Sequence, residues 1–327
     1  MIEEIRPNLF RCEIPLPGNP LKMLNCYIVK AGKKSLIVDT GFNQKECRAA
    51  FFSYIEELDI DLTRSEVVIT HLHSDHSGLA SELYSLGAKL YFSAGDGRIT
   101  KLEASNTNWE HAYRMMKHFG FENNEDFFER HPGKAFGTDD NFAYEVLGEG
   151  NLLKIGEYCF KVISVPGHTP DMINLYDEKK KIYLSGDHVL AIITPNIGYW
   201  GEDYPVVLNE YFNSLKKIYD YDIEIMLPSH RALINNHKKR IDELFDHHET
   251  RLFEIKMILN QTAERLTVQE IAAKMHWRIR AKNWSEFPDA QKWFAASEAM
   301  AHLDYLAYRG EISMRTENDT FYFSAKK

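Results

Sequence analysis

The sequence lacks any long apolar run and any recognisable targeting segment at its N-terminus. No stretch approaches the roughly 20 uninterrupted apolar residues that a membrane-spanning helix needs. Residues 1–4 are acidic and carry neither the basic start nor the apolar core of a signal peptide. These absences predict a cytoplasmic protein without a membrane partner.

Cysteine and net positive charge are also scarce. The four cysteines are scattered and form no CxxC pair, which is typical of a reducing compartment and of buried thiols: Cys12, Cys26, Cys47 and Cys159. The net charge is −9 and the pI is near 5.9, so the chain lacks the electropositive field of a nucleic-acid-binding protein. The composition therefore argues against a nucleic-acid partner.

What is present is enough apolar material for a large folded unit. The chain has 327 residues, of which 44% are hydrophobic and 27% charged, as in ordinary globular proteins. Five β-branched runs end abruptly in polar residues, and each is predicted to be a strand: residues 35–38, 66–69, 159–165, 181–184 and 223–227. Loops at strand ends of α/β folds commonly gather functional side chains, so we expect these five ends to converge.

Two regions depart from the strand pattern. Between about 98 and 147 the β pattern stops, and residues 108–119 repeat at helical spacing, which predicts a helical insertion. After about 235 we predict helices over 238–259, from 266 onward with a capping box at Thr267 and Glu270, and over 291–308, followed by a hairpin over 311–324. This predicts a catalytic domain, 1–235, and a winged-helix-like domain, 236–327.

The densest chemistry lies directly after the second of these strands. The segment from His71 to His76 reads HLHSDH, with three imidazoles and one carboxylate in six residues. Imidazole nitrogens and carboxylate oxygens are the usual ligands of Zn²⁺ and similar ions. His71 and His73 point to one side of an extended segment and can share one ion, while Asp75 and His76 can reach a second.

These residues resemble the ordered signature of the metallo-β-lactamase superfamily: a strand-end Asp, HxHxDH, a His, a bridging Asp and a last His. The matching positions here occur in order, as Asp39, residues 71–76, His168, Asp187 and His230. The resemblance covers roughly residues 5–235 and implies a four-layer αββα sandwich. It implies one ion on His71, His73 and His168, a second on Asp75, His76 and His230, and Asp187 as the bridge.

Asp39 has two interpretations, a turn cap after a strand or a residue that orients a ligand. The other nine histidines are interpreted as ordinary surface or core residues: His111, His118, His131, His188, His237, His247, His248, His276 and His302.

The ligand set predicts hydrolysis by a hydroxide that bridges two divalent ions. Two nearby cations lower the pKa of a shared water, stabilise the oxyanion and stabilise the leaving group, while Asp75 holds the hydroxide in line. Zinc is the default ion, and iron and manganese suit the same ligands. Because Asp75 is present where the oxygen-reducing diiron branch usually departs from HxHxDH, hydrolysis is favoured over redox chemistry.

The closest resemblance is to glyoxalase II-like and lactonase-like members, on the stretch from Ser185 to Ile197. It implies a thioester, ester or lactone substrate. An acyl-homoserine-type lactonase would carry a tyrosine soon after the bridging Asp, whereas the first one here is Tyr199, which weakens the lactonase interpretation. Tyr199 and Trp200 are candidates to wall the pocket, with the Tyr199 phenol donating to an oxyanion; the alternative for both is packing.

Several alternatives stay open. The aromatic and methionine side chains of the insertion could form an apolar lid or could pack as ordinary core: Trp109, Met115, Met116, Phe119, Phe121, Phe127 and Phe128.

A phosphodiesterase is the alternative enzyme, because some superfamily members with a winged-helix-like tail cut nucleic acid. The net charge of residues 231–327 is about +2, whereas that of the rest of the chain is about −11, which is a weak basis for phosphate binding. A sensor module is disfavoured by the complete ligand set, and a homodimer is possible.

Overall fold

The computed structural model describes residues 1–105, 109–122, 124, 126–278 and 281–326. Asn108, the first residue of one predicted helix, therefore lies outside the described residues, as do small parts of the predicted insertion and C-terminal domain. The strands are β1 Ile2–Arg6, β2 Leu9–Pro15, β3 Met23–Ala31, β4 Lys34–Val38, β5 Ser65–Val68, β6 Lys89–Phe92, β7 Glu145–Val146, β8 Leu152–Ile155, β9 Tyr158–Ser164, β10 Ile173–Asp177, β11 Ile182–Gly186, β12 Ile225–Pro228, β13 Leu266–Thr267, β14 Ile312–Glu317 and β15 Thr320–Ala325.

The helices connect these strands and cover the sheets. They are α1 Lys45–Glu57, α2 Ser74–Ser77, α3 Ala80–Ser85, α4 Ala94–Ala104, α5 Trp109–His118, α6 Pro132–Ala135, α7 Val207–Tyr219, α8 His237–Asn260, α9 Val268–Lys274 and α10 Asp289–Tyr308, with short 3-10 turns at Leu62–Arg64 and Trp284–Glu286. No helix of the described chain is long and apolar enough to cross a membrane.

Two large sheets form the centre of the protein. The first has the order β1-β2-β3-β4-β5-β6-β7, and its neighbours from β4 onward are parallel. The second has the order β12-β11-β10-β9-β8, in which only the β11–β12 pair is parallel. A third sheet, β13-β15-β14, lies in the C-terminal region.

Alternating side chains of the first sheet enter two different cores. On β3, Tyr27 and Val29 belong to a core that also contains Phe160 and Leu175 of the second sheet. The intervening Cys26 and Ile28 belong to another core, shared with α1 and α3. Because successive side chains of a strand point to opposite faces, this period of two places the sheets face to face with helices outside. The predicted αββα sandwich is thereby confirmed.

The outer face of the second sheet is covered by α7 together with the C-terminal helices. One apolar cluster contains residues of α7, α8, α9, α10 and β15, including Tyr211, Leu244, Ile271, Met300 and Phe323. The C-terminal elements follow the predicted order of helices and a hairpin, and the predicted capping box at the start of α9 is present. The domain boundary near 235 and the winged-helix-like classification stay predictions.

The described part of the predicted insertion contains the helices α4, α5 and α6 with loops between them, and it ends at β7, a strand of the first sheet that the prediction did not include. Its first helix, α4, begins at Ala94, slightly before the predicted boundary, because the Ser93 hydroxyl accepts a hydrogen bond from the Asp96 N–H and caps it. Trp109, Met116, Phe127 and Phe128 form a small buried cluster. Of the two interpretations, an apolar lid or ordinary core packing, their burial agrees with core packing.

Candidate active site

The ends of five strands bring the predicted site residues to one place. Asp39 directly follows β4, and the 71–76 segment follows β5, its parallel neighbour. On the second sheet, β9, β11 and β12 lead into His168, Asp187 and His230 respectively. The two sheets therefore present their polar loops to each other at one edge of the sandwich.

Three imidazoles form the first group of ligands: His71, His73 and His168. The Nε2 atom of His71 lies 3.1 Å from the Nδ1 atom of His73. The far nitrogen of His71 is engaged with the Thr70 hydroxyl at 3.0 Å, and the Nδ1–H of His168 donates to the carbonyl of Asn196 at 2.8 Å. These contacts leave the inward nitrogens of His71 and His168 available as ligands.

The second group contains Asp75, His76 and His230. The Asp75 Oδ2 atom lies 3.3 Å from His230 Nε2 and 3.8 Å from His76 Nε2. The Nδ1–H of His230 donates to the Met23 carbonyl at 2.7 Å, a contact across 207 residues of chain. The short helix α2, whose N-cap position is His73, places Asp75 and His76 in this group.

Asp187 lies between the two groups and divides its oxygens between them. Its Oδ2 atom is 3.8 Å from His168 Nε2, while its Oδ1 atom is 3.7 Å from His76 Nε2 and 3.6 Å from His230 Nε2. This division matches the bridging position that the sequence resemblance implies for Asp187.

Asp39 supports the ligand loops through hydrogen bonds. Its carboxylate accepts hydrogen bonds from His76 Nδ1–H at 2.8 Å, from the backbone N–H and hydroxyl of Thr70, and from the Ser229 hydroxyl at 3.1 Å. Asp39 adopts a positive φ of 63°, a region that Asp tolerates better than most residues. Of its two interpretations, the one in which Asp39 orients a ligand agrees with these contacts.

The sequence analysis missed Asp96, the acidic residue in the first turn of α4. Its buried carboxylate accepts from the Leu72 N–H at 3.1 Å, from the Thr169 hydroxyl, and from the Asp171 N–H at 3.0 Å. Burial raises the pKa of Asp96 to about 7, although each of these three hydrogen bonds by itself lowers it. In sequence Asp96 is only an acidic residue near a helix start, a common pattern, so nothing there indicates that it joins two ligand loops.

The imidazoles of the first group are neutral at neutral pH. Burial, followed by the neighbouring imidazoles, lowers the pKa of His71 well below its usual range. Burial likewise lowers the pKa of His73 to about 3 and also lowers that of His168. Neutral imidazoles carry the free lone pair that a metal ligand requires.

The carboxylates make the second group a favourable place for positive charge. Burial alone would lower the pKa of His76 and of His230, but the carboxylates facing each ring outweigh it and raise both values. Burial would raise the pKa of Asp75, and His76 and His230 instead hold it at about 2. The same imidazoles lower the pKa of Asp187 against its burial. These ionised carboxylates provide the negative field that a bound cation requires.

The donor set fits divalent metal ions. Four buried polar atoms that face the centre have no hydrogen-bond partner among the described residues: His76 Nε2, His168 Nε2, His230 Nε2 and Asp187 Oδ1. Buried polar atoms are otherwise nearly always paired, so several at one centre indicate a missing partner. Imidazole nitrogen and carboxylate oxygen around them are the ligands that borderline divalent ions prefer. Among the described residues, none of the nine other histidines belongs to these groups.

Trp200 and Tyr199 lie differently although they are adjacent in sequence. The Trp200 ring lies 6.4 Å from the His73 ring at an interplanar angle of 25°, so it stands beside the first group of ligands. Tyr199 is 9% exposed, its ring packs 6.3 Å from Phe119, and its backbone N–H donates to Ser297. Burial, followed by Asp304 and two further carboxylates, raises its pKa. The catalytic role of Tyr199 stays a prediction.

Comparison with known proteins agrees with this geometry. A family model described as the Metallo-beta-lactamase superfamily matches residues 20–230. The probable metallo-hydrolase YqjP of Bacillus subtilis is 24% identical over 310 residues, covering 92% of this chain and 93% of that protein. An atrochrysone carboxyl ACP thioesterase of Aspergillus fumigatus is 22% identical over 272 residues, covering 82% of this chain and 70% of the relative.

Solved structures support the fold along the whole chain. A metallo-beta-lactamase family protein from Thermus thermophilus superposes with a TM-score of 0.84 at 22% identity, covering 99% of this chain and 100% of that one. A beta-lactamase domain protein from Burkholderia ambifaria gives 0.81 at 25% identity, with 99% and 93% covered. Because the family model spans more than half of the chain and contains both ligand groups, the protein belongs to the metallo-beta-lactamase superfamily of metal-binding hydrolases.

Proposed function

We propose that this protein is a dinuclear metal-dependent hydrolase that cleaves a thioester, ester or lactone of a small molecule, with zinc as the default ion. The single observation that carries the proposal is the divided carboxylate of Asp187. One of its oxygens faces His168 and the other faces His76 and His230, each at 3.6–3.8 Å. A carboxylate placed in this way can serve two ions at once.

The ligands would separate into two sets around that bridge. His71, His73 and His168 would hold one ion with three imidazoles, and Asp75, His76 and His230 would hold the other. When bound, two such cations would lower the pKa of a water toward neutrality and polarise an ester-type carbonyl.

Asp75 is the residue of the chain best placed to act on that water. Its carboxylate stays ionised because His76 and His230 hold its pKa at about 2. It therefore accepts hydrogen bonds at neutral pH and can fix the orientation of a water beside the second group. Asp75 would thus orient the water, and it would also provide one ligand oxygen to the second ion.

The surroundings of the site and the charge of the chain favour an acyl substrate over a phosphodiester. The Trp200 ring stands beside His73 and offers an apolar surface to an acyl or ring portion of a substrate. The acidic balance of the chain, −9 overall, gives no general attraction for a nucleic-acid backbone. A relative whose name includes ACP thioesterase supports thioesters as the first substrates to test.

The test combines metal content with a substrate panel on purified protein. We expect two ions per chain and turnover of thioesters or lactones, with little turnover of phosphodiesters at the same ionic strength. Asp187→Ala should lose both ions and all turnover, whereas Asp75→Asn should mainly deplete one ion. His276→Ala, which changes an exposed imidazole in the C-terminal region, is the matched control and should behave as the unmodified protein.

Two outcomes would redirect or reject the proposal. Phosphodiester cleavage alone, together with salt-dependent binding of RNA or DNA, would favour the nuclease alternative and assign substrate binding to the C-terminal region. Full turnover by Asp187→Ala would reject the bridging role itself.

A further inference from the structure

The loop that follows Asp187 is fastened to helix α10 in the C-terminal region. Asn196 Nδ2 donates to the Glu298 carboxylate at 3.0 Å and to the Phe294 carbonyl at 3.2 Å. Tyr199 N–H donates to the Ser297 hydroxyl at 3.0 Å. These contacts join residues about one hundred positions apart and fix the backbone of the loop at two points.

One of those points is also the support of His168. The Asn196 carbonyl accepts the Nδ1–H of His168 at 2.8 Å, while its side-chain amide reaches Glu298. A ligating imidazole is oriented by the partner of its other nitrogen, and that partner here is a backbone carbonyl on a loop. The position of the carbonyl therefore depends on what holds Asn196.

Glu298 is well suited to hold it. Glu298 is 7% exposed and is the one charged residue in the buried stretch of α10 over residues 295–301. Its second oxygen faces Arg251 Nε at 3.6 Å and His247 Nε2 at 3.9 Å, both from α8. Burial would raise the pKa of Glu298, but His247, His302 and Arg251 outweigh it and lower the pKa. A buried ionised carboxylate is a strong and directional acceptor.

We infer that Glu298 is a positioning residue of the metal site, acting through Asn196 on His168. The C-terminal region then supports the site indirectly, with Arg251 and His247 of α8 lying beside the second oxygen of Glu298 in α10. Glu298 in turn fixes Asn196, and the Asn196 carbonyl sets the ring of His168. This inference rests on the proposed ligation of a metal by His168.

A merely structural role for Glu298 makes a different prediction. If Glu298 only stabilised the fold, its loss would lower the free energy of unfolding and would weaken both groups of ligands equally. A positioning role instead weakens the ion held with His168 more than the ion held with Asp75. The two roles are separated by the affinity of each site, measured without any substrate.

The experiment titrates Co²⁺ into the metal-free full-length protein, following visible absorbance with a competing chelator. His168→Ala and Asp75→Asn serve as references for loss of the first and second site. We expect Glu298→Ala to raise the dissociation constant of the first site about tenfold, the lower end of the range for groups that support a ligand. Glu298→Gln keeps an oxygen that can accept from Asn196 and should recover most of this loss.

Glu311→Ala is the matched control. Glu311 also lies in the C-terminal region and pairs with Lys256 and Arg309, neither of which contacts the loop from Asp187 to Trp200 in the described structure. Its loss should leave both affinities unchanged. Equal weakening of both sites in Glu298→Ala, or the same change in Glu311→Ala, would overturn the inference.

Asn196→Ala provides an independent variant if Glu298→Ala does not fold. It keeps the carbonyl that accepts from His168 but removes the amide that anchors it, so the same first-site loss is expected. Where both single variants fold, the losses from Glu298→Ala and Asn196→Ala should not add in a double-mutant cycle. A folded Asn196→Ala with unchanged first-site affinity would overturn the inference, whereas absence of metal binding in the unmodified protein would reject the proposed function instead.

Discussion

At the residue scale, three of the five ligand imidazoles are held through the nitrogen that faces away from the centre. His168 and His230 donate to backbone carbonyls, of Asn196 and Met23, and His76 donates to the Asp39 carboxylate. Each of these contacts sets both the tautomer and the plane of its ring. The inward nitrogens are therefore aimed before any ion binds.

Asp96 plays a similar role for the backbone. It accepts from the Leu72 N–H, between two ligands, and from the Thr169 hydroxyl, next to His168. It thus joins a loop of the first sheet to a loop of the second. The distance between His71 and His168 depends on this junction.

We therefore predict that Asp96→Asn weakens both the fold and the metal site. An amide in place of the carboxylate presents N–H groups to a donor, which removes at least one buried hydrogen bond. We expect a loss of about 1–3 kcal/mol in the free energy of unfolding and roughly tenfold weaker metal binding. Urea unfolding and chelator competition measure these quantities. Asp126→Asn, an exposed change, is the control; unchanged metal affinity in Asp96→Asn would contradict the prediction.

At the element scale, the ligand loops lie where strands end and helices begin, and close backbone approaches fix them. Gly167, directly before His168, has a φ of 142°. A Cβ atom there would lie 2.6 Å from the Cα atom of Tyr211 in α7. The absence of a side chain therefore allows the His168 loop to sit directly on a helix backbone.

We predict that Gly167→Ala moves the His168 loop away from α7. The added methyl group meets helix backbone, which cannot move aside as a flexible side chain can, and φ is unfavourable. We expect a loss of about 2 kcal/mol in the free energy of unfolding and weaker binding of the first ion. Urea unfolding and metal content measure the two effects. Gly148→Ala should change neither, because no atom of the described residues lies within 4 Å of its added Cβ; equal effects of the two variants would contradict this account.

At the scale of the whole molecule, the C-terminal elements share one apolar cluster with α7 and the second sheet. The loop after Asp187 belongs in part to that cluster, through Ile197 and Tyr199, and contacts the ligand His168 through Asn196. Metal binding and packing of the C-terminal region are therefore expected to stabilise each other. The homodimer stays a prediction.

The packing of the C-terminal region predicts a pH dependence at Asp304, a partly buried residue of α10. Burial, followed by the charge of Glu202, raises its pKa to about 6 from a usual value of 3.8. As pH rises through this interval, the unfolded chain releases the proton first, so the folded state loses stability. Asp304→Asn should therefore stabilise the protein by about 1 kcal/mol at pH 7.5, after allowance for solvent screening, and by less at pH 4.5.

Urea unfolding of the metal-free protein at the two pH values measures this difference without the pH dependence of metal binding. Asp319→Asn is the control, and its effect on stability should have the opposite sign, because the hydrogen bond with Lys117 lowers the pKa of Asp319. That contribution is present at pH 7.5 and is lost as pH falls through the lowered pKa. A stabilisation by Asp304→Asn that is as large at pH 4.5 as at pH 7.5 would contradict the assignment.

The sequence by itself determined the chemistry of the site. Ligand types and their local spacing are given by residues 71–76, and the order of the remaining ligands resembles a family signature, which implied the αββα layers. Local spacing constrains geometry because the direction of side chains repeats over short distances. The capping box at Thr267 was predictable for the same reason.

Only the tertiary structure decided what supports those ligands. The carbonyls of Met23 and Asn196 are chemically the same as any other carbonyl in the chain, so no residue type marks them as partners of His230 and His168. Asp96 and Glu298 resemble ordinary helix residues until the fold buries them beside distant loops. Tyr199 and Trp200 are neighbours in sequence, yet one lies in the core and the other beside His73, because the path of the backbone sets the direction of each side chain.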